Sequence, residues 1–426
     1  MDLKIKEFFM AILRKFKAWR PKEGLERDVA SYPYDVLSSE EARDLAQDNP
    51  YSFLHVVKPE IDLPVGTDLY SQPVYDKAKE NFTRFIQEGI LIQDKKPYLY
   101  IYRQTMDGRE QYGIVGCVSV EDYDSDVIKK HEHTRPVKER DRIKHVDITN
   151  ANAGPIFLTY KARETINSLV SQAVKNPPVY DFIASDGIGH TVWIIKDDTM
   201  SAQIIQEFRK IDFLYVADGH HRSASAAKVA NKRRESNPAH TGEEEYNFFL
   251  AVLFPDEQLR ILDYNRVLKH LNNHTEEELF QTLELTFSVE DRGTEPYKPR
   301  KKGEVSMYLE NKWYRLTIKP EIASADKDDP VKSLDISILQ NNILGPFFGI
   351  DDPRTSDDID FIGGIRGLEE LIRLVDSGGF KVAFAMFPVS IDELMNIADA
   401  GEVMPPKSTW FEPKLRSGLL VHTLND

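Results

Sequence analysis

Apolar positions recur along this chain with a period of two in some stretches and of three to four in others, and the switches between them predict its elements. Four pairs of β-branched and aromatic runs face each other across short polar turns, and each is expected to form a hairpin. The pairs are 97–105 with 111–120 across Met106, Asp107 and Gly108; 179–184 with 191–197 across Ser185, Asp186 and Gly187; 248–254 with 259–265 across Pro255, Asp256 and Glu257; and 304–310 with 313–319 across Asn311 and Lys312. Helical spacing follows its own punctuation: Ser38 with Glu41 and Thr275 with Glu278 fit capping boxes, and 73–88 opens on a proline and stops at Gly89. Near the C-terminus, 367–379, 380–389 and 390–401 read as helix, strand and helix. The fold class is α+β, with mixed, largely antiparallel sheets and interleaved helices.

No repeat or low-complexity tract interrupts this pattern. The polar stretch 236–247 reads as a surface loop, and 291–304, where proline, glycine and charge cluster without period, reads as a linker. The expected division is therefore an extension at 1–15, a region at 16–295 with a weaker boundary near 125, and an α+β domain at 296–426. The first 24 residues mix Lys and Arg with Phe, Ile and Leu at helical spacing. They are expected to pack as a helix on the body or to form a leader before an internal start at Met10, with a membrane-surface helix as the alternative.

Composition narrows the function. With 55 basic against 70 acidic residues the net charge is -15, opposite to the footprint of a phosphate-backbone binder, so nucleic acid is disfavoured as a partner. No apolar stretch approaches the roughly 20 residues that span a bilayer. The one cysteine, Cys117, lies in an apolar run, which excludes an internal disulfide or a multi-cysteine zinc site and fits a cytoplasmic protein.

The stretch that carries most chemistry is DGHHR, residues 218–222, between the apolar run 213–216 and the alanine-rich stretch 223–234. A strand, a turn and a helix in that order offer free backbone N–H groups and the positive end of a helix dipole to an anion such as phosphate. Gly219 allows close backbone approach, Arg222 can fork onto phosphate oxygens, and His220 and His221 can donate hydrogen bonds or move a proton. Asp218 can hold a metal ion or orient a histidine. A polar cap on a buried helix is the alternative. The second stretch, KKHEHTRPVKERDR at 129–142, places His131, Glu132, His133 and Arg135 before Pro136, where a helix entering from Val127 is expected to end. It offers one carboxylate base and several cations, and the low-charge 149–157 that follows resembles a ligand-contacting loop. Asp35, in the turn YPYDV, is a third candidate acid, and Lys407 and Lys414 are candidate pocket residues. Lys407-Ser408-Thr409 lacks the glycine-rich run of a P-loop, 363–367 lacks the dinucleotide fingerprint, and no GxSxG elbow occurs.

Together, RPKEGLERDVASYPYDVLSSEEARDLAQDNPYSFLHVVKPEIDLP, KKHEHTRPVKERDRIKHVDITNANAGPIFLTY, ADGHHRSASA and MPPKSTWFEPKLRSGL resemble the bacterial and archaeal family catalogued as domain of unknown function 1015, over about Phe16 to Leu420. That family is similar around DGHHR to the ParB/sulfiredoxin superfamily, which includes free-serine kinases. The resemblance implies a nucleotide-binding core in 16–295. Gly219, His221 and Arg222 match the glycine, histidine and arginine of the sulfiredoxin turn, while His220 stands at its cysteine position, so sulfinic-acid reduction is not implied.

The expected activity is a phosphotransferase that uses ATP or ADP with Mg2+ on a small hydroxylated metabolite, free L-serine being one candidate. Gly219, Arg222 and Ser223 would cradle phosphates, with His131 and Arg135 as further nucleotide contacts and His220 and His221 neutralising transferred charge. Glu132 or Asp218 would accept the hydroxyl proton or hold the metal, with Asp35 as third candidate. Two alternatives stand beside it: a ParB-like nucleotide-binding switch, and a metal-dependent hydrolase using His131, His133 and His220 or His221 with Asp218. A homodimer is the candidate assembly.

Overall fold

The computed structural model describes residues 11–425, so the expectations for the first ten residues lie outside them. It divides into two compact units. One is formed by residues up to Lys130, by Thr134–Leu259 and by the stretch from Pro413 on; the other by Arg260–Glu412 with His131–His133.

The first unit is built on a nine-stranded mixed sheet. Its spatial order runs Ile128–Lys129, Leu214–Asp218, Ile156–Tyr160, Phe248–Pro255, Arg109–Ser119, Leu99–Met106, Gly189–Ile195, Tyr180–Ile183, and Leu13–Arg14 also pairs with Arg109–Ser119. Two contacts are parallel, between Leu214–Asp218 and Ile128–Lys129 and between Phe248–Pro255 and Ile156–Tyr160; the other pairings are antiparallel. The first two expected hairpins form. Asp107 and Gly108 both take positive φ, 52° and 75°, as a tight turn between right-twisted strands requires. One core packs against this sheet through Ile114, Leu158, Phe208 and Phe249, and a second gathers Phe53, Phe82, Phe85 and Val421.

The second unit carries a six-stranded antiparallel sheet in the order Phe287–Asp291, Lys312–Ile318, Glu304–Leu309, Val382–Met386, Tyr264–Leu268, Ile359–Gly363. The fourth hairpin and the helix, strand and helix near the C-terminus appear as expected, at Gly367–Asp376, Val382–Met386 and Ile391–Asp399. Both expected capping boxes, at Ser38 and Thr275, are made in full.

Five expectations are corrected. The pairing of 248–254 with 259–265 fails because Phe248–Pro255 is buried along its whole length between two other strands, which satisfy both its edges. The helical pattern at the N-terminus gives way, over its described part, to short strands at Leu13–Arg14 and Trp19–Pro21 that add to existing edges. The expected linker 291–304 connects two strands of one sheet, Phe287–Asp291 and Glu304–Leu309, that flank Lys312–Ile318, and it is tied down by Trp313 N donating to Gly293 O at 2.7 Å and by the Tyr297 hydroxyl donating to Glu304 at 3.0 Å. The contact boundary thus falls between Leu259 and Arg260, not near 295, and the region near 125 lies inside the first unit. The tail from Pro413, expected with the C-terminal domain, returns to the first unit, where Ser417 bridges Ser31, Val421 bridges Trp19 and His422–Thr423 pairs with Ala151–Asn152. No helix among the described residues is long and apolar enough to cross a membrane.

The tail's docking hangs on Gly418, whose φ is +87° and whose added Cβ would come within 2.6 Å of the Phe53 ring. Gly24 shares the positive φ, +90°, with open space around it. Gly418→Ala is expected to destabilise the protein by about 2–4 kcal/mol, the sum of a left-handed backbone penalty and overpacking, against about 1 kcal/mol for Gly24→Ala, as read from urea midpoints. Equal midpoints for the two variants would show that the tail is not held there.

Candidate functional site

The strand Leu214–Asp218 runs buried until its last residue, and Gly219 then turns the chain with φ 100° and ψ 31° into the 17-residue helix His220–Ser236. The helix starts at His220, earlier than the sequence suggests, so the two histidines and Arg222 form its first turn. Glycine is required at 219 for a second reason: a Cβ there would lie 3.1 Å from Arg222 Nε. The guanidinium folds back over the turn.

Arg222 organises the site. Its side chain is only 11% exposed; its Nη1 donates to Pro155 O, while Nη2 lies 3.7 Å from Asp218 and 3.9 Å from Asp35. Its Nε is buried with no hydrogen-bond partner among the described residues. Asp218 is shared: the tail brings Lys414 Nζ to 3.1 Å from its other oxygen. Burial alone would raise the Asp218 pKa, but Lys414 and Arg222 outweigh it and hold the carboxyl well below the usual range. Two carboxylates and two cations therefore meet at one helix N-terminus.

Asp35 arrives on the turn after Tyr34, whose ring lies 4.0 Å below the Arg142 guanidinium. Arg142 is in turn fixed by Asp141, through Nε at 2.9 Å and Nη2 at 2.7 Å, and Asp141 accepts from the Tyr75 hydroxyl at 3.0 Å. A small cavity of about 40 Å³ opens here, lined by Tyr34, Arg142, His145, Gly154, Arg222 and Ser417.

The other candidate residues fall as follows. His221 Nε2 accepts the Arg135 backbone N–H at 3.0 Å, which leaves its proton on Nδ1. Arg135 thus reaches the turn with its backbone, its side chain being exposed. His220 is buried, and burial pulls its pKa down to about 4 despite Asp218, so it is neutral near pH 7 and cannot serve as a resident cation. Ser223 is fully buried and its hydroxyl donates back to His220 O at 3.1 Å, so it faces its own helix and offers no phosphate contact. The helix expected to end at Pro136 instead begins there, at Pro136–Thr149, since proline suits a first helical position. His131, Glu132 and His133 fall with the second unit, where His131 O accepts from Met404 N at 2.9 Å. Among the described residues no group of three or more His, Cys, Asp and Glu side chains could hold a metal.

Sequence reasoning missed Arg142 and Arg416. Arg416 stacks 3.9 Å from the Tyr32 ring, pairs with Asp186 and donates through Nε to His190 Nε2 at 3.2 Å, while His190 Nδ1 meets the Tyr102 hydroxyl at 2.7 Å. The signal available was the charge of LRSG, in a stretch read for its P-loop spacing, its two lysines and its family resemblance but not for its arginine.

The family model described as protein of unknown function (DUF1015) matches residues 13–337. The chain belongs to this family. The match ends before Lys414 and Arg416, which reach the first unit from the tail. No curated protein matches the chain. Among solved structures it is similar to a free serine kinase variant in complex with ADP, at 14% identity over 73% of this chain and 92% of that one, with a TM-score of 0.36. SbnI with a C-terminal truncation from Staphylococcus aureus shares 13% identity over 72% and 87% (TM-score 0.39), and a conserved hypothetical protein from Pyrococcus furiosus shares 14% over 72% and 95% (TM-score 0.34). At these scores the likeness says nothing about this chain's chemistry.

The buried histidines of this unit give it an acid sensitivity. Burial lowers His145 and His220 from 6.5 to about 4 and His190 to about 3, so the unfolded chain binds more protons below pH 6.5 and stability is lost as pH falls toward 4. Asp122 works the other way, its carboxyl raised by burial to about 6, but it is one group against three. The urea midpoint is expected to be lower at about pH 5 than at about pH 7, and His190→Gln to reduce the difference. A midpoint that does not change over that range would contradict the buried neutral imidazoles.

Proposed function

We propose that the first unit binds a nucleotide by its phosphates at the Asp218–Arg222 turn and transfers a phosphoryl group to a small hydroxylated metabolite. The observation that carries this is Arg222 itself, a buried guanidinium whose Nε has no hydrogen-bond partner among the described residues, held between two carboxylates at the start of a long helix. Gly219, His221 and Arg222 also stand where the resemblance to the sulfiredoxin turn implies phosphate contact. ATP or ADP is the proposed donor, and free L-serine is a candidate acceptor.

The roles follow from position. Arg222 and the first backbone N–H groups of the helix face the phosphates, and His221 donates through Nδ1. Asp35, the more exposed carboxylate at 36%, accepts the proton of the attacking hydroxyl. The hydroxyl oxygen bonds to the terminal phosphorus as the bridging P–O bond breaks, and the shortened nucleotide leaves with that bonding pair. Lys414 keeps Asp218 ionised and in place. Mg2+ needs only one or two carboxylates beside phosphate oxygens and water, a set Asp218 and Asp35 can supply, and when bound it neutralises phosphate charge. A transition-metal site has no comparable support.

Calorimetry with ATP and ADP in the presence of Mg2+ tests the binding. Wild type is expected to bind and Arg222→Ala to bind roughly 10- to 100-fold more weakly, at unchanged melting temperature, the loss of one charge-assisted phosphate contact. Unfolding of Arg222→Ala would make the turn a structural cap instead. Binding without acceptor-dependent conversion of the nucleotide would favour the switch reading.

A further inference from the structure

Away from the Asp218 turn, the first unit carries a wide cleft whose walls follow two sequence periods. From Arg14 to Arg20 the chain runs extended, bridged at Phe16 and Trp19, with Phe16 and Ala18 buried in the core. Alternation along an extended chain sets Lys15, Lys17 and Trp19 on the other face. On the helix Gln72–Gln87, Lys79, Phe82, Thr83 and Ile86 recur at i, i+3, i+4 and i+7, one stripe of its surface. Both sets line a single cleft of about 760 Å³, within the ordinary size range of small-molecule sites.

The lining separates apolar from charged residues. Leu91–Gln93 follows the helix after a turn at Gly89 and pairs with Trp19–Pro21, which brings Trp19 toward the Ile86 end of the stripe. Lys79 lies two helical turns, about 10 Å, back from Ile86, and Lys17 two extended residues, about 7 Å, back from Trp19. Two carboxylates also line the cleft, and both are engaged: Asp147 by Lys232 at 2.6 Å and Arg233 at 3.1 Å, Glu245 by His422 at 2.8 Å and Arg14 at 3.5 Å. Lys15 shares Asp198 with Lys96, at 3.1 and 3.3 Å. Lys17 and Lys79 are exposed and form no ion pair among the described residues, Glu245 feeling the Lys17 charge only at longer range. On a chain of net charge -15, this cleft is locally positive.

We infer that this cleft binds a small aromatic oxyanion, with its anionic group on Lys17 and Lys79 and its ring against Trp19 and Ile86. A bare anion would answer the lysines and leave the apolar residues wet; a neutral ring would do the reverse. An organic cation would meet an excess of its own sign. A ring is favoured over a flexible chain because the half-buried Trp19 offers a planar partner, and aromatic pairs gain from their geometry beyond the area they bury. At about 760 Å³ the cleft has room for a molecule of one or two rings. No residue of the Asp218–Arg222 turn lines it, so the inference does not rest on the nucleotide reading.

The test is calorimetry on the full-length protein, without nucleotide, with naphthoate as the probe, naphthalenemethanol as the uncharged ring, acetate as the anion alone and octanoate as the aliphatic anion. Naphthoate is expected to bind, and each of the other three to bind about tenfold more weakly or not at all. Lys79→Gln is expected to weaken naphthoate binding about two- to fivefold, and Lys17→Gln combined with Lys79→Gln about tenfold, the range open to exposed charges. Both lysines are exposed, so these variants are expected to melt as wild type does. Trp19→Leu, which keeps an apolar side chain and removes the ring, is expected to bring naphthoate down to the level of octanoate. Arg222→Ala is expected to bind naphthoate as wild type does. Failure of wild type to bind naphthoate, naphthalenemethanol or octanoate binding as tightly as naphthoate, or indifference to the loss of both lysines would each overturn the site. Loss of naphthoate binding in a folded Arg222→Ala would place the anion at the turn, and would overturn this site while leaving the nucleotide reading standing.

Discussion

The first unit depends on one carboxylate held between two cations. Asp218 ends a buried strand, Arg222 opens the following helix, and Lys414 comes from a tail almost two hundred residues away in sequence. Removing these charges from water is costly, and the cost is met only if all three are present and well placed. The pair Asp218–Lys414 therefore couples the docking of the tail to the shape of the turn. A tail held elsewhere would leave Asp218 with Arg222 alone at 3.7 Å, and the guanidinium would lose its balance between Asp218 and Asp35.

The same logic explains why the tail is anchored so heavily. Ser417 bridges Ser31, Val421 bridges Trp19, Gly418 fits against Phe53, and Arg416 stacks on Tyr32 while pairing with Asp186. Tyr32 and Asp35 belong to one turn, so these contacts position the second carboxylate as well as the lysine. The tail and the YPYDV turn are one construction in space.

Much of this was legible locally and little of it globally. Capping boxes at Ser38 and Thr275 and the turn at Asp107-Gly108 depend on neighbours within a few residues, and the sequence states them. DGHHR was readable as a strand-to-helix turn because an apolar run, a glycine and an alanine-rich stretch occur in order. What could not be read was which strand takes which edge: the turn at Pro255-Asp256-Glu257 looks like its neighbours, yet Phe248–Pro255 is flanked by strands from far off. Lys414 was legible as a candidate pocket residue but not as the partner of Asp218, because that pairing comes from the fold. His220 and Ser223 were misjudged for a related reason. Their types suit phosphate, but helical geometry from His220 onward turns them inward.

Charge balance limits what the site can hold. Asp35, Asp218, Arg222 and Lys414 sum to zero, and His220 stays neutral, so the constellation is complete without a ligand. A polyphosphate placed there adds several negative charges against two carboxylates already present. Helix N–H groups and His221 Nδ1 answer part of that, with an effective charge of about half a unit from the dipole. On the proposed reading the rest would come with the ligand as a divalent cation beside the carboxylates. On that reading the cation and the nucleotide would bind together: a divalent cation cancels two of the phosphate charges, and the helix N–H groups and His221 answer part of the remainder. The two carboxylates, which would repel a bare phosphate, would then favour the cation-bound nucleotide over the free one.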